Sequence, residues 1–189
     1  MNKIEHFYKN IGEDWFPYTQ LYKNMVERFD SGSKFVEVGS WKGRSASFMA
    51  VEIHNSGKQI KFDCVDTWKG SDNEDYHQND PDVKNDMLYE TFLKNVNPVR
   101  HVINPVRKTS VEASALYEDN SLDFVFIDAC HTYECVKEDI EHWYPKVKPN
   151  GIMAGHDFHY KTVHTAVLEI FPNVFYDRIG DCWVQQKIV

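Results

Sequence analysis

Along residues 31–171, short runs of β-branched and aromatic residues alternate with longer stretches whose apolar positions recur at helical spacing. The short runs at about 34–38, 60–66, 100–105, 122–128 and 151–155 predict strands. The longer stretches at about 44–54, 83–96, 110–117, 132–143 and 160–171 predict helices. Strands separated by helices need crossovers, so the pattern implies an α/β fold with a mostly parallel sheet covered on both faces. The tail, NVFYDRIGDCWVQQKIV, breaks the alternation and reads as two strands around Gly180-Asp181, an antiparallel hairpin. Near the start, Leu21, Tyr22, Met25, Val26 and Phe29 lie at helical spacing in an aromatic-rich segment. Residues 1–30 are therefore expected to cap a domain spanning 31–189, the two making one compact unit. The polar stretch 69–82 is too long for a plain connection, and reads either as a substrate lid or as a solvated excursion.

Composition narrows the function classes. A chain of 189 residues suits one domain, and 42% hydrophobic with 26% charged residues is the balance of a globular protein. No apolar run approaches the roughly 20 residues that cross a bilayer, and MNKIEHFYKN has no signal-peptide core. Cys64, Cys130, Cys135 and Cys182 show neither metal nor disulfide spacing. These features set the expectation of a cytoplasmic protein with no membrane partner; a homo-oligomer stays compatible with them. With 29 acidic against 21 basic residues, a net charge of −8 and no basic cluster beyond Arg107-Lys108, a nucleic-acid partner is disfavoured and a small acceptor preferred.

The first strand-to-helix turn is Glu37-Val38-Gly39-Ser40-Trp41-Lys42-Gly43, with Ser45 opening the helix. In open α/β sheets ligands bind beyond the carboxyl ends of the strands, often at this turn. Gly39 permits a tight turn and Gly43 a close helix approach, and the free N–H groups of the helix start suit a carboxylate. The spacing is ExGxxxG, not the GxGxxG of dinucleotide sites, and Trp41 stands where a pyrophosphate would pass. Asp66 ends the second strand in CVDTW, where an acceptor-only carboxylate can take both hydroxyls of a ribose. As a strand end it could equally begin a turn. Trp68 could border the base, or simply pack.

Taken together, FVEVGSWKGRSA, DTWKGS, LYETFLKNV, SLDFVFIDACHTYECVKEDIEHWYPKVKPNGIMAGHDF and the closing hairpin resemble the class I S-adenosylmethionine-dependent methyltransferases. The likeness is to the small methyltransferase-domain family associated with glycan and natural-product modification, and spans about residues 15–188. It implies a Rossmann-like seven-stranded sheet and S-adenosylmethionine as cofactor. It also implies that Glu37, Gly39, Ser40, Gly43, Ser45 and Asp66 surround the cofactor, with Ser110 near the adenine; Trp41, Trp68 and Asp128 complete the expected cofactor set. Asn150-Gly151 stands where the family commonly has Gly-Gly, and Asn tolerates the left-handed conformation.

Methyl transfer to oxygen requires an aligned acceptor and a place for its proton. DACH after the fourth strand and GHDFH after the fifth supply candidates. His131 is the expected general base and Asp157 its catalytic partner, although a histidine here could instead cap the following helix. Asp128, His156 and Asp157 could form a divalent-metal site for Mg²⁺ or a similar ion, as in the metal-dependent O-methyltransferases that the arrangement resembles, with His156 replacing an oxygen ligand. Otherwise these side chains orient the loops and His131. The expected activity is O-methylation of a small hydroxylated acceptor such as a sugar or glycan unit. The alternatives are an inactive S-adenosylmethionine binder and, on weaker grounds, an NAD-dependent oxidoreductase.

Overall fold

The alternation of short and long periods folds into one sheet, built from β1 (Lys34–Val38), β2 (Lys61–Asp66), β3 (Ile103–Arg107), β4 (Leu122–Ile127), β5 (Val147–Gly155), β6 (Phe175–Asp177) and β7 (Cys182–Gln186). The helices are α1 (Thr19–Arg28), α2 (Arg44–Ser56), α3 (Asp75–Asn79), α4 (Pro81–Lys84), α5 (Leu88–Asn95), α6 (Ser110–Ser114), α7 (Tyr133–Trp143) and α8 (Lys161–Ile170). This computed structural model describes residues 2–72 and 74–188. Met1, Asn73 and Val189, which fall in the expected cap, long loop and hairpin, lie outside the described residues.

The strand order is β3-β2-β1-β4-β5-β7-β6, parallel as far as β5 and antiparallel at β7 and β6. The chain moves outward from β1 to β3, then returns to place β4 on the other side of β1. That reversal makes the carboxyl ends of β1 and β4 the topological switch where ligands bind. Side chains alternate across the sheet. Phe35, Phe62, Phe124 and Phe126 pack against α1, α2 and α5 on one face, while Val36, Val38, Val125 and Ile127 pack against α6, α7 and α8 on the other. Each fully buried side chain of this kind contributes about 1.5–3 kcal/mol. The N-terminal segment shares the first of these cores through Tyr22, Met25 and Val26.

Several boundaries differ from the sequence reading. The third strand starts later than residue 100, because Asn97–Val99 forms a turn of 3-10 helix that Val102 closes by donating to Val99 at 2.9 Å. Pro105 within that strand is tolerated because β3 is an edge. The helix expected over 83–96 is two helices, α4 and α5, separated at Asp86, whose φ is +54°. Residues 110–117 yield only the short α6, fixed by a capping box between Thr109 and Glu112. β5 starts at Val147, earlier than expected, and Asn150 within it has φ +65°, a left-handed geometry that asparagine tolerates. The 69–82 stretch folds as α3 and the start of α4.

Candidate active site at the carboxyl ends of the strands

The carboxyl ends of β1, β2, β4 and β5 open into a cavity of about 890 Å³, roofed by residues 12–18 and by the loop carrying α3. Gly39 makes the floor possible. Its φ is +90°, and a Cβ there would lie 1.9 Å from the carbonyl oxygen of Asp128, so any side chain would drive β1 and β4 apart. Ser40, Trp41, Ser45, Asp66, Ser110, Asp128, His131, His156 and Asp157 all line the cavity.

Three expected cofactor residues stand behind its wall. Strand alternation sends Glu37 to the α1 side, where it is 1% exposed. There it accepts from Tyr22 at 3.0 Å, from Ser40 at 3.1 Å and from Ser45. Burial pushes its carboxyl up to about 7 against these donors. Gly43 caps α2 with φ +88°, and a Cβ would meet Val96 at 2.8 Å and Phe92 at 3.0 Å. Trp68 is 1% exposed and packs on Tyr89 and Phe92, while its Nε1 donates to the Trp41 carbonyl at 2.9 Å. It supports the loop and does not line the cavity.

Asp66 does more than the sequence suggested. Its two oxygens accept the backbone N–H groups of Trp41 at 2.8 Å and Trp68 at 2.7 Å. Burial raises its pKa, partly offset by the bonds from Trp68, Trp41 and Ser40. The same carboxylate thus ties the β1 turn to the β2 turn. Trp41 (φ +45°) and Trp68 (φ +52°) both sit in the left-handed region, costly for bulky residues. Trp41 is held there by the Asp66 bond, a 3.2 Å bond from Nε1 to Glu13, and stacking on His77 at 4.2 Å. Glu13 also accepts from Tyr76 at 2.9 Å, and Lys42 reaches Asp80 at 2.6 Å, so roof, β1 turn and long loop are bonded to one another.

At the far end, His131 Nε2 lies 2.9 Å from Asp157 and its Nδ1 lies 3.2 Å from Glu74. His156 Nδ1 is 3.2 Å from Asp157 and 3.5 Å from Asp128. The buried Tyr18 donates to the other oxygen of Asp128 at 2.6 Å. Burial pulls both imidazoles down, but the carboxylates prevail. Asp157, Asp128 and Glu74 push His131 up to about 9, and Asp128 and Asp157 push His156 up to about 10. For Asp157, burial acts upward, while His131 and His156 hold it well below the usual carboxylate range. The result is a chain of alternating charges. Helix capping does not occupy His131, because Thr132 caps α7 by accepting from Cys135 at 3.3 Å.

Among the described residues, two groups bring potential metal-ligand atoms within 4.8 Å of one another: Asp128 with His131 and Asp157, and His156 with Asp157 and Asp181. The trio expected from sequence is divided between them. Mg²⁺ favours oxygen ligands in near-ideal octahedral geometry, and these sets mix imidazole with carboxylate, each imidazole already paired with a carboxylate. The residues present do not fit Mg²⁺.

Sequence reading did not single out Tyr18, Arg44, Glu74 or Asp139. Tyr18 and Asp128 are separated by 110 positions, and no local signal joins them. Arg44 lines the cavity, donates to the Ile11 carbonyl at 3.1 Å and to Asp14, and keeps a buried Nε without a partner. Its position beside the glycine turn was the available clue.

A sheet of this order, with a glycine turn at β1 and an acidic end to β2, defines a Rossmann-like methyltransferase fold. Residues 36–158 match the family model described as a methyltransferase domain, and the chain belongs to that family of class I S-adenosylmethionine-dependent methyltransferases. The fold is similar to that of the O-methyltransferase NovP, with a TM-score of 0.66 and 16% identity over 90% of this chain and 79% of that one. A Corynebacterium glutamicum protein gives 0.60 and 13% identity over 90% and 80% of the respective chains. An S-adenosylmethionine-dependent O-methyltransferase from Thermotoga maritima gives 0.61 and 10% identity, covering 100% of this chain and 68% of that one. A curated relative, protein y4gI of Sinorhizobium fredii, is 27% identical over 124 residues; the match covers 66% of this chain and only 13% of that protein. No helix among the described residues is long and apolar enough to cross a membrane.

The lining suits the family's cofactor. Asp66 can accept a diol through lone pairs its backbone bonds leave over, and the unpartnered Nε of Arg44 suits an amino-acid carboxylate.

Proposed function

We propose that this chain methylates a hydroxyl group on a small acceptor such as a sugar or glycan unit. The observation that carries the reading is the His131–Asp157 pair, 2.9 Å apart, in the same cavity as Asp66. When bound, S-adenosylmethionine supplies an electrophilic methyl group on a sulfonium centre. The chain's own task is to hold the acceptor oxygen in line and to take its proton as the new O–C bond forms and the methyl–sulfur bond breaks, its electron pair leaving with sulfur as a neutral thioether. His131 is the proton acceptor in this reading. Asp157 holds the ring and stabilises the imidazolium that results, itself anchored by His156. Tyr18 and His156 fix Asp128 as a wall of the same chamber.

Three exposed aromatic side chains favour a ring-shaped acceptor: Trp15, Tyr76 and Tyr160 all line the mouth of the cavity. Such rings offer apolar faces, and the carboxylates of Glu74 and Asp181 beside them can accept hydroxyl hydrogen bonds. The roof formed by residues 12–18 and α3 would exclude water during transfer. The test is a transfer screen with methyl-labelled S-adenosylmethionine over hydroxylated sugars, phenols and nucleic acid. Label is expected in a sugar or other small hydroxylated compound. Label in nucleic acid alone, or in none despite tight cofactor binding, would overturn the proposal, the second result favouring a binding protein.

A further inference from the structure

Asp139 is 5% exposed on the buried face of α7, between Val136 and Ile140, yet it lines the cavity. A carboxyl group in that position is costly unless something bonds to it. The Ser110 hydroxyl acts on it, lowering its pKa against the effect of burial. Trp143 Nε1 donates to the Ser110 oxygen at 2.8 Å, so the hydroxyl hydrogen stays available to a carboxylate acceptor. Burial pushes the Asp139 carboxyl up to about 6, so at neutral pH it is mainly an acceptor-only carboxylate. One hydroxyl uses only part of the roughly four lone-pair sites that a carboxylate offers.

This pair closes the same end of the cavity as Asp66. The Lys108 N–H donates to the Asp66 carbonyl at 3.1 Å, and Ser110 follows two residues later at the start of α6. A nucleoside whose ribose hydroxyls engage Asp66 would direct its base toward Ser110 and Asp139. Adenine presents an amino donor on its six-membered ring, whereas hypoxanthine presents a carbonyl acceptor at the same position. A carboxylate attracts the first and repels the second.

We propose that Asp139 is the residue that selects adenine, accepting a hydrogen bond from the exocyclic amino group while Ser110 orients the carboxylate. The inference rests on the family's use of S-adenosylmethionine and does not depend on the acceptor. Titration calorimetry of the full chain with S-adenosylhomocysteine and its 6-oxo analogue, S-inosylhomocysteine, tests it. The wild type should favour the adenosyl ligand by about 10- to 100-fold, the effect of one hydrogen bond to a charged group. Asp139→Asn, whose amide both donates and accepts, should collapse that preference, and Glu138→Gln on the same helix should keep it.

Equal affinity of the wild type for both ligands would overturn the proposal without any variant. So would an undiminished preference in a folded Asp139→Asn, which would leave Asp139 a purely structural role. Failure of the folded wild type to bind either ligand would remove the cofactor reading and this proposal with it. That outcome is distinguishable from a mere loss of selectivity.

Discussion

The two ends of the cavity are built on different principles. At the β2 and β3 end, the wall is assembled from backbone: Gly39 sets the floor, and the N–H groups of Trp41 and Trp68 converge on Asp66. At the β4 and β5 end it is assembled from side chains drawn from distant segments, with Glu74, Asp128, His131, His156 and Asp157 pairing in alternating charge. The first end is fixed by backbone bonds and a glycine that admits no side chain. The second depends on each charge having a partner, and it is therefore sensitive to pH and to the loss of any one group.

The sharpest way to break this contrast is Gly39→Ala. A Cβ 1.9 Å from the Asp128 carbonyl, at a φ of +90°, should cost about 4 kcal/mol or more and disable both ends at once. Chemical denaturation and cofactor binding measure it, and a stable variant that binds normally would show that the turn is not the shared foundation.

Asp157→Asn should act at one end only. Asp157 has φ +57°, which asparagine accepts, so the backbone stays and the carboxylate between two imidazoles is lost. A loss of about 1–3 kcal/mol is expected at pH 7, with cofactor affinity retained. The sign follows from its depressed folded-state pKa. The carboxylate's contribution is present above the ordinary aspartate value and disappears as pH falls through the folded value, so wild type and variant should converge in acid. Denaturation midpoints measured from pH 7 downward check this, and a pH-independent gap would contradict it.

These contrasts also explain what the sequence made legible. Gly39, Asp66 and the strand-helix rhythm are local features whose spacing carries their geometry, so the α/β architecture and the glycine turn after β1 could be read directly. The helix break at Asp86 and the delayed β3 were not legible, because a turn held by backbone bonds looks apolar and periodic in one dimension. Glu37 and Trp68 stand behind the cavity wall, which the sequence did not foretell, because a motif gives position along the chain but not which face of a strand or loop a side chain takes. At the other end, His131 and Asp157 were visible as strand-end residues. Their partners Tyr18 and Glu74 come from elsewhere in the chain, and only the fold brings them in.

A gentler probe is the pH profile of methyl transfer. His131 is raised to about 9, so its protonated form prevails at neutral pH and the form able to accept a proton grows as pH rises. The rate should climb about tenfold per unit through the neutral range and level off near pH 9. A profile that is flat from pH 6 to 9 would remove His131 as the proton acceptor. The smallest effect should come from chelation: exhaustive treatment with a metal chelator should leave the rate unchanged, since each imidazole of the cluster already has a carboxylate partner. Loss of activity restored by a divalent ion would instead assign the mixed imidazole and carboxylate groups to a metal.

The division of labour between the ends is tested most directly by His131→Ala, with methyl transfer and S-adenosylhomocysteine affinity measured on the same preparation. The expected result is a rate reduced by about 10²- to 10⁴-fold, the usual range for a lost general base, with ligand affinity unchanged. Wild-type turnover in the variant would contradict the account.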